Sequence, residues 1–313
     1  MQRFNHILFY ASADSRLDPA FDRAVALAKR NGARLTLVDV IDPVPGVMGE
    51  LLPGWSVARL SDAIRDARRA ELEDLAEQAR DQGVAVAVSV VFGKAVVALT
   101  HQVMREGHDL LIKGAPAGAA EGLVSTDMHL MRKCPVPIWV IKGDFGTPPR
   151  RILAAVDPDP EEPDVDPLNG KILELASTLA EWEGAELHLV HAWQVVGEAI
   201  LRGSRARLSD QEVDALERGI EDSHRFRLKA LMGAYGLDGV PGVGHVRKGE
   251  PAEVILAAAE EYQADVIVMG TQGRRGLAGF FIGNTAEEVL KRTSASVLAI
   301  KPEDFRSPVE PEA

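Results

Sequence analysis

The sequence predicts an α/β protein built twice over, and three observations carry the prediction. Short apolar runs rich in β-branched residues alternate with helix-length amphipathic stretches, an order that requires parallel strands joined by crossovers. The chain repeats itself, with an offset that shifts only between elements. In the second copy alone, a full glycine pattern, Gly270-Thr-Gln-Gly273 followed by Gly283-Asn284-Thr285, separates a strand from a helix.

The repeat can be followed element by element. Ile7-Leu8 corresponds to Ile152-Leu153, an offset of 145. Gly32-Ala-Arg-Leu-Thr-Leu-Val38 corresponds to Gly184-Ala-Glu-Leu-His-Leu-Val190, an offset of 152. Gly93 and Asp109-Leu-Leu-Ile-Lys-Gly114 match Gly249 and Asp265-Val-Ile-Val-Met-Gly270 at 156, and Ile138-Trp-Val-Ile-Lys142 matches Val297-Leu-Ala-Ile-Lys301 at 159. Insertions confined to loops produce such steps. The linker Gly143-Asp-Phe-Gly-Thr-Pro-Pro149 divides an N-terminal domain, 1–146, from a C-terminal domain, 147–313. A single large sheet is the alternative.

In the first half, the spacing of Leu60, Ala63, Ile64, Ala67, Leu72 and Leu75 predicts a helix over 59–80. The run 84–92, bracketed by Gly83 and Gly93, reads as a strand, and 109–114 and 138–141 supply two more. The second half reads as a strand over 152–156, then a helix over 169–182 with Ile172, Leu175, Ala176 and Leu179 on one face. A strand over 187–192, a long helix over 209–232 and a weak strand over 244–247 follow. Pro251 starts a helix over 252–262, because proline suits the first helical turn. The strand 266–269, a helix from Asn284 and the strand 297–300 complete the unit. Both closing strands are apolar edges that need cover.

Composition narrows the functional classes. A chain of 313 residues, 46% hydrophobic and 26% charged, reads as soluble and globular. The net charge of −12 argues against nucleic acid as a partner. Cys134, the single cysteine, excludes an intrachain disulfide and reads as a structural thiol. The apolar stretch near the N-terminus is too short for a signal sequence, and no run is long enough to span a membrane. A reduced, cytoplasmic setting is expected.

Ligands of open parallel sheets sit beyond the carboxyl ends of the strands. Asp157, His191-Ala192 and the loop from Gly270 all fall there. Gly270 ends a strand at a sharp turn, and Gly273 permits close backbone approach. At Gly283 a Cβ would point at a bound phosphate; Asn284 and Thr285 offer caps to the following helix, and Arg274 and Arg275 add positive charge. The pattern fits an anion cradle; a mobile glycine loop before a capped helix is the plainer alternative. Neither a Walker lysine motif nor a dinucleotide glycine fingerprint is present.

These residues resemble the universal stress protein family, whose motif runs Gly-x2-Gly-x9-Gly followed by Ser, Thr or Asn. The similarity covers Lys248-Gly-Glu-Pro-Ala-Glu-Val-Ile255, Ala264 to Arg274 and Gly283 to Val289, and in the first half Gly107 to Lys113 and Ser125 to Pro135. The resemblance implies a five-stranded parallel sheet of order 3-2-1-4-5 in each domain, two domains forming a pseudo-dimer, and ATP with Mg²⁺ as the ligand of many members. It further implies that Asp157 meets the adenine or ribose, that Ala192 offers backbone to adenine, and that Gly270, Gly273, Arg274, Gly283, Asn284 and Thr285 surround ribose and phosphates. The first half departs from the motif: Ser12 replaces the acid, Val124 stands at the position of Gly283, and Glu121 adds negative charge. ATP is therefore expected in the C-terminal domain only.

His191 reads as packing beneath the ligand, with a proton relay as the alternative. His101, His108 and His129 show no metal-ligand spacing, and the acidic run from Asp157 to Asp166 lacks the glycine and terminal glutamate of a calcium loop. No metal site and no catalytic residue are assigned. The leading functional expectation is a stress-response regulator or scaffold that binds ATP, with hydrolysis at most slow. A slow ATPase or adenylate-forming enzyme is one alternative. The other is an interaction module holding a protein or an apolar ligand on the smooth loop 115–120. Homodimerisation is left open.

Overall fold

A computed structural model describes residues 4–11, 19–47, 56–115, 125–142, 148–158, 167–203, 208–237, 243–271 and 282–310. The linker 143–147, the acidic stretch 159–166 and loop residues 116–120 lie outside them. The chain divides into two compact units, Met1–Thr147 with Phe305–Ala313, and Pro148–Asp304.

The first unit runs β1 His6–Tyr10, α1 Pro19–Asn31, β2 Arg34–Ile41, α2 Val57–Asp81, β3 Val86–Phe92, α3 Ala95–Glu106, β4 Leu110–Gly114, α4 Ser125–Lys133 and β5 Ile138–Ile141. Its strands lie in the order β3-β2-β1-β4-β5, every pair parallel. Ile7, Leu8 and Phe9 are fully buried on successive positions of β1, as expected of a central strand covered on both faces. Each such side chain contributes about 1.5–3 kcal/mol by leaving water. The α1 face Phe21, Ala24, Val25, Leu27 and Ala28 supplies one cover.

Along α2 the predicted apolar stripe is only partly used. Leu72, Leu75, Ala76 and Ala79 are buried, whereas Ala63 and Ala67 are exposed. The reason is length: 25 residues of helix extend roughly 37 Å, and the seven-residue strand β3 beneath reaches roughly 23 Å. The N-terminal turns overshoot the sheet.

The second unit repeats the plan with β6 Arg151–Ala155, α5 Pro167–Glu183, β7 Glu186–Trp193, a short α6 Glu198–Leu201, α7 Asp210–Ala234, β8 Gly244–Lys248, α8 Pro251–Glu261, β9 Val266–Gly270, α9 Asn284–Arg292 and β10 Ser296–Ile300. The order is β8-β7-β6-β9-β10, again parallel throughout. In both units, therefore, the strand order is 3-2-1-4-5. Pro251 occupies the first turn of α8. Gly93 and Gly249, paired by the repeat, share a φ of +151° and +149°, a conformation that disfavours any side chain. The switch in strand order falls between β1 and β4 in one unit and between β6 and β9 in the other, and this is where a ligand-sized crevice opens.

Candidate functional site

In the second unit the crevice starts at the end of β6. Asp157 follows this strand, and its backbone is held on both sides by one side chain: its N–H donates to Asn169 Oδ1 at 2.9 Å, and its C=O accepts from Asn169 Nδ2 at 2.8 Å. Asn169 sits in the first turn of α5 and is buried. Its two bonds fix Asp157 while leaving that carboxylate exposed. The small residues at the carboxyl ends of β6 and β7 do the rest: Ala155, the last of β6, and Ala192, next to last in β7, both line the space above them.

The result is a cavity of about 200 Å³ lined by Ala155, Asp157, Ala192, Gly270, Gly283 and Thr285 among others. Ile172, Ile255 and Met269 close its floor and walls. An apolar slot with polar groups at one end suits a planar ring carrying a polar tail. Five of the six site residues within the described chain thus converge. Asn284 is the exception: it is exposed and does not line the cavity. Gly273 and Arg274 lie outside the described residues.

The ends of the glycine loop are tied together. Gly283 N–H donates to Thr271 O at 2.9 Å, and Thr271 N–H donates to Ile300 O at 2.9 Å, so the loop leaves and returns at one point above β9 and β10. Gly283, not Asn284, is the N-cap of α9; its φ of −62° and ψ of 147° suit any residue, and no side chain caps this end. The expected capping by Asn284 is corrected accordingly, since Asn284 already belongs to the helix as its first residue. Glycine at 283 is therefore not required by conformation, and it lines the cavity. The first bond of the helix runs from Glu287 N–H to Gly283 O. The N–H groups of Asn284, Thr285 and Ala286 precede that ladder and form the positive end of the helix dipole.

His191, fully buried on β7, lines the same cavity. Its Nδ1 lies 3.1 Å from Val156 O, which can only accept, so Nδ1 carries the proton. Nε2 then accepts from His224 Nδ1 at 2.7 Å, across to α7. Both ring nitrogens serve the protein frame, which favours packing beneath a ligand over proton relay. Sequence spacing gave no hint of Asn169 or His224, because each lies on the helix that follows its partner's strand.

The first unit is built differently at the equivalent place. By the repeat, Lys113 stands where Met269 does, Asp127 where Ala286 does, and Tyr10 where Ala155 does. Lys113 Nζ donates to Asp127 Oδ1 in a buried ion pair. At this place the first unit carries a salt bridge and a phenol ring instead of apolar and small residues, and Tyr10, Val40, Gly93, Ala95, Thr126 and Lys133 line a cavity of about 450 Å³. Asp39, at the position of His191, accepts from Arg68 Nε at 2.6 Å, and burial raises its carboxyl above the usual range against the pull of Arg68. Ser12, Glu121 and Val124 lie outside the described residues.

With the geometry in view, comparison with known proteins places the chain. The model of the universal stress protein family matches residues 3–142 and 149–301. The chain is 31% identical to universal stress protein E of Escherichia coli K12 over 315 aligned positions, covering 99% of this chain and 98% of that protein. It is 28% identical to universal stress protein E of Photorhabdus laumondii, with 99% of each covered. Among solved structures, a functionally unknown protein from Pseudomonas aeruginosa PAO1 superposes with a TM-score of 0.74 at 25% identity, covering 97% of this chain and 94% of that one.

Proposed function

Because the chain belongs to the universal stress protein family, we propose that it is a cytoplasmic stress-response protein that binds ATP with Mg²⁺ in its C-terminal unit and acts as a regulator or scaffold through its bound state. The observation that carries this reading is the cavity at the β6/β9 switch point, with Asp157 and Ala192 at one end and the opening turn of α9 at the other. Adenine enters the apolar slot over Ile172 and Met269, and the ribose lies towards Asp157. The phosphates reach the N–H groups of Asn284, Thr285 and Ala286, assisted by Gly273 and Arg274. Hydrogen bonds to a charged group contribute about 1.5–3 kcal/mol each, so two or three support micromolar affinity.

The first unit is assigned no nucleotide, since Tyr10 and the buried Lys113–Asp127 pair replace the small and apolar residues on which adenine would pack. Titration calorimetry of ATP with Mg²⁺ into the intact chain tests both statements. One equivalent per chain is expected. Gly283→Val, which valine can adopt at the observed φ and ψ, should weaken binding at least ~10-fold through loss of one charged hydrogen bond. Two equivalents would overturn the assignment of the first unit. No binding by the folded wild-type chain would overturn the nucleotide reading altogether.

A further inference from the structure

The first unit brings three residues together at the end of its sheet opposite the crevice. His6 opens β1, Glu106 ends α3, and His108 precedes β4. Their positions are set by backbone: Asp109 N–H donates to His6 O at 2.9 Å, and the Asp109 carboxylate takes the N–H groups of Asn5 and His6 at 2.7 and 3.1 Å. The two imidazoles stack with centroids 3.8 Å apart. One ligand atom from each of His6, Glu106 and His108 lies within 4.8 Å of the other two.

The chemistry of His108 makes the cluster more than a coincidence. Its side chain is fully buried. Nδ1 lies 3.3 Å from Gln102 O, so Nδ1 donates and Nε2 presents a bare lone pair. That Nε2 has no hydrogen-bond partner in the protein, and it lies 3.9 Å from Glu106 Oε2, a second acceptor. The buried Nε2 lone pair is unfavourable without a partner, and the exposed Glu106 carboxylate beside it supplies the negative charge that would hold a cation there. An imidazole that donates its far N–H to a backbone carbonyl is also the usual arrangement of a metal-bound histidine.

We propose that His6, Glu106 and His108 form a binding site for a divalent first-row transition ion of the zinc type. Two imidazoles and one carboxylate select such ions over Mg²⁺ and Ca²⁺, which take all-oxygen shells. Zinc bonds of ~2.0–2.2 Å require the three side chains to close on the ion by about an ångström, leaving a fourth position for water. Protein groups compete for His6: Nδ1 lies 3.3 Å from Arg34 Nη2 and 3.2 Å from Glu106 O, and Nε2 lies 3.0 Å from Thr36 Oγ1, so ligation exchanges one of these contacts for the ion. Arg34 is exposed, so its guanidinium swings into solvent when the ion enters. The repeat places Arg151, Tyr262 and Ala264 at the corresponding positions of the second unit, so the site belongs to the first unit alone.

The test uses the full chain without an affinity tag, stripped with a chelator and titrated with Zn²⁺ alone, then with Co²⁺ to read ligation from its visible absorption. One equivalent of zinc per chain is expected, together with a cobalt spectrum of nitrogen-ligated four-coordinate geometry. His108→Gln and Glu106→Gln should each weaken binding tenfold or more, and Arg34→Gln should tighten it. Circular dichroism and ATP binding by the second unit report whether each variant is folded. Absence of zinc binding by the wild-type chain, or binding that His108→Gln and Glu106→Gln leave unchanged, overturns the proposal. Either result would leave a proton or a water between His108 and Glu106.

Discussion

Asn169 holds the backbone of Asp157 with one donor and one acceptor of its side-chain amide. Asn169→Ala should cost about 1–3 kcal/mol of stability by leaving buried partners unsatisfied, and should weaken ATP binding by loosening Asp157. Denaturant titration and calorimetry read the two effects separately. Asn169→Asp should be worse at neutral pH, because it sets an acceptor against the Asp157 carbonyl. His108 gives a second prediction at this scale. Burial, together with the stacked His6, pushes its pKa down from 6.5 to about 4. The unfolded chain therefore binds the proton first, and stability should fall as pH drops from about 6.5 towards 4 while staying flat above that window. His108→Gln should remove this part of the slope, as measured by melts across the pH range. Of these residues the sequence made Asp157 legible, because it follows a strand at the expected ligand end. The Asn169 clamp and the His6–His108 stack were not legible, since 12 and roughly 100 positions separate the partners and only the folded sheet closes those gaps.

At the scale of elements, spacing was a good guide to which segments pair and a poorer guide to where they stop. The shifting offsets located the strands of both sheets, because loops absorb insertions and central strands do not. Helix starts were less certain. The helix expected from Asn169 begins at Pro167, and that expected over 59–80 begins at Val57 behind its N-cap Ser56. The long helix α7 starts with a full capping box, Ser209 and Glu212 each bonding the other's backbone. Ser209→Ala should cost about 1 kcal/mol, seen as a lower denaturant midpoint with unchanged slope. Gly170 tests packing in α5: a Cβ there would lie 1.9 Å from Tyr235 Oη, where α7 ends. Gly170→Ala gains helix propensity of about 1 kcal/mol yet should destabilise, since the Tyr235 ring must leave its place. A stabilised Gly170→Ala variant would show that this contact yields more easily than the geometry indicates.

At the scale of the whole molecule, the chain is doubled in sequence but not in chemistry. The same strand order carries an apolar slot in one unit and, in the other, a cavity lined by Tyr10, His129 and Lys133 together with a buried Lys113–Asp127 pair. Burial also lowers the pKa of Lys142, beside Asp127. The repeat made the shared architecture legible. What it could not convey is that the last residues join the first unit: Ser307 Oγ donates to Lys133 O at 2.7 Å, and His101 Nε2 bonds Glu310 O at 2.8 Å. Removing residues 305–313 should raise amide exchange in α3 and α4 and leave the ATP stoichiometry of the second unit unchanged. That tail has a consequence during synthesis. A ribosome that has finished position 147 must add 158 more residues before Phe305 appears, which takes roughly 8–30 s at ~5–20 residues per second. For that interval the first unit waits, nearly complete, with the backs of α3 and α4 open to chaperones, and the second unit is made before the first is finished.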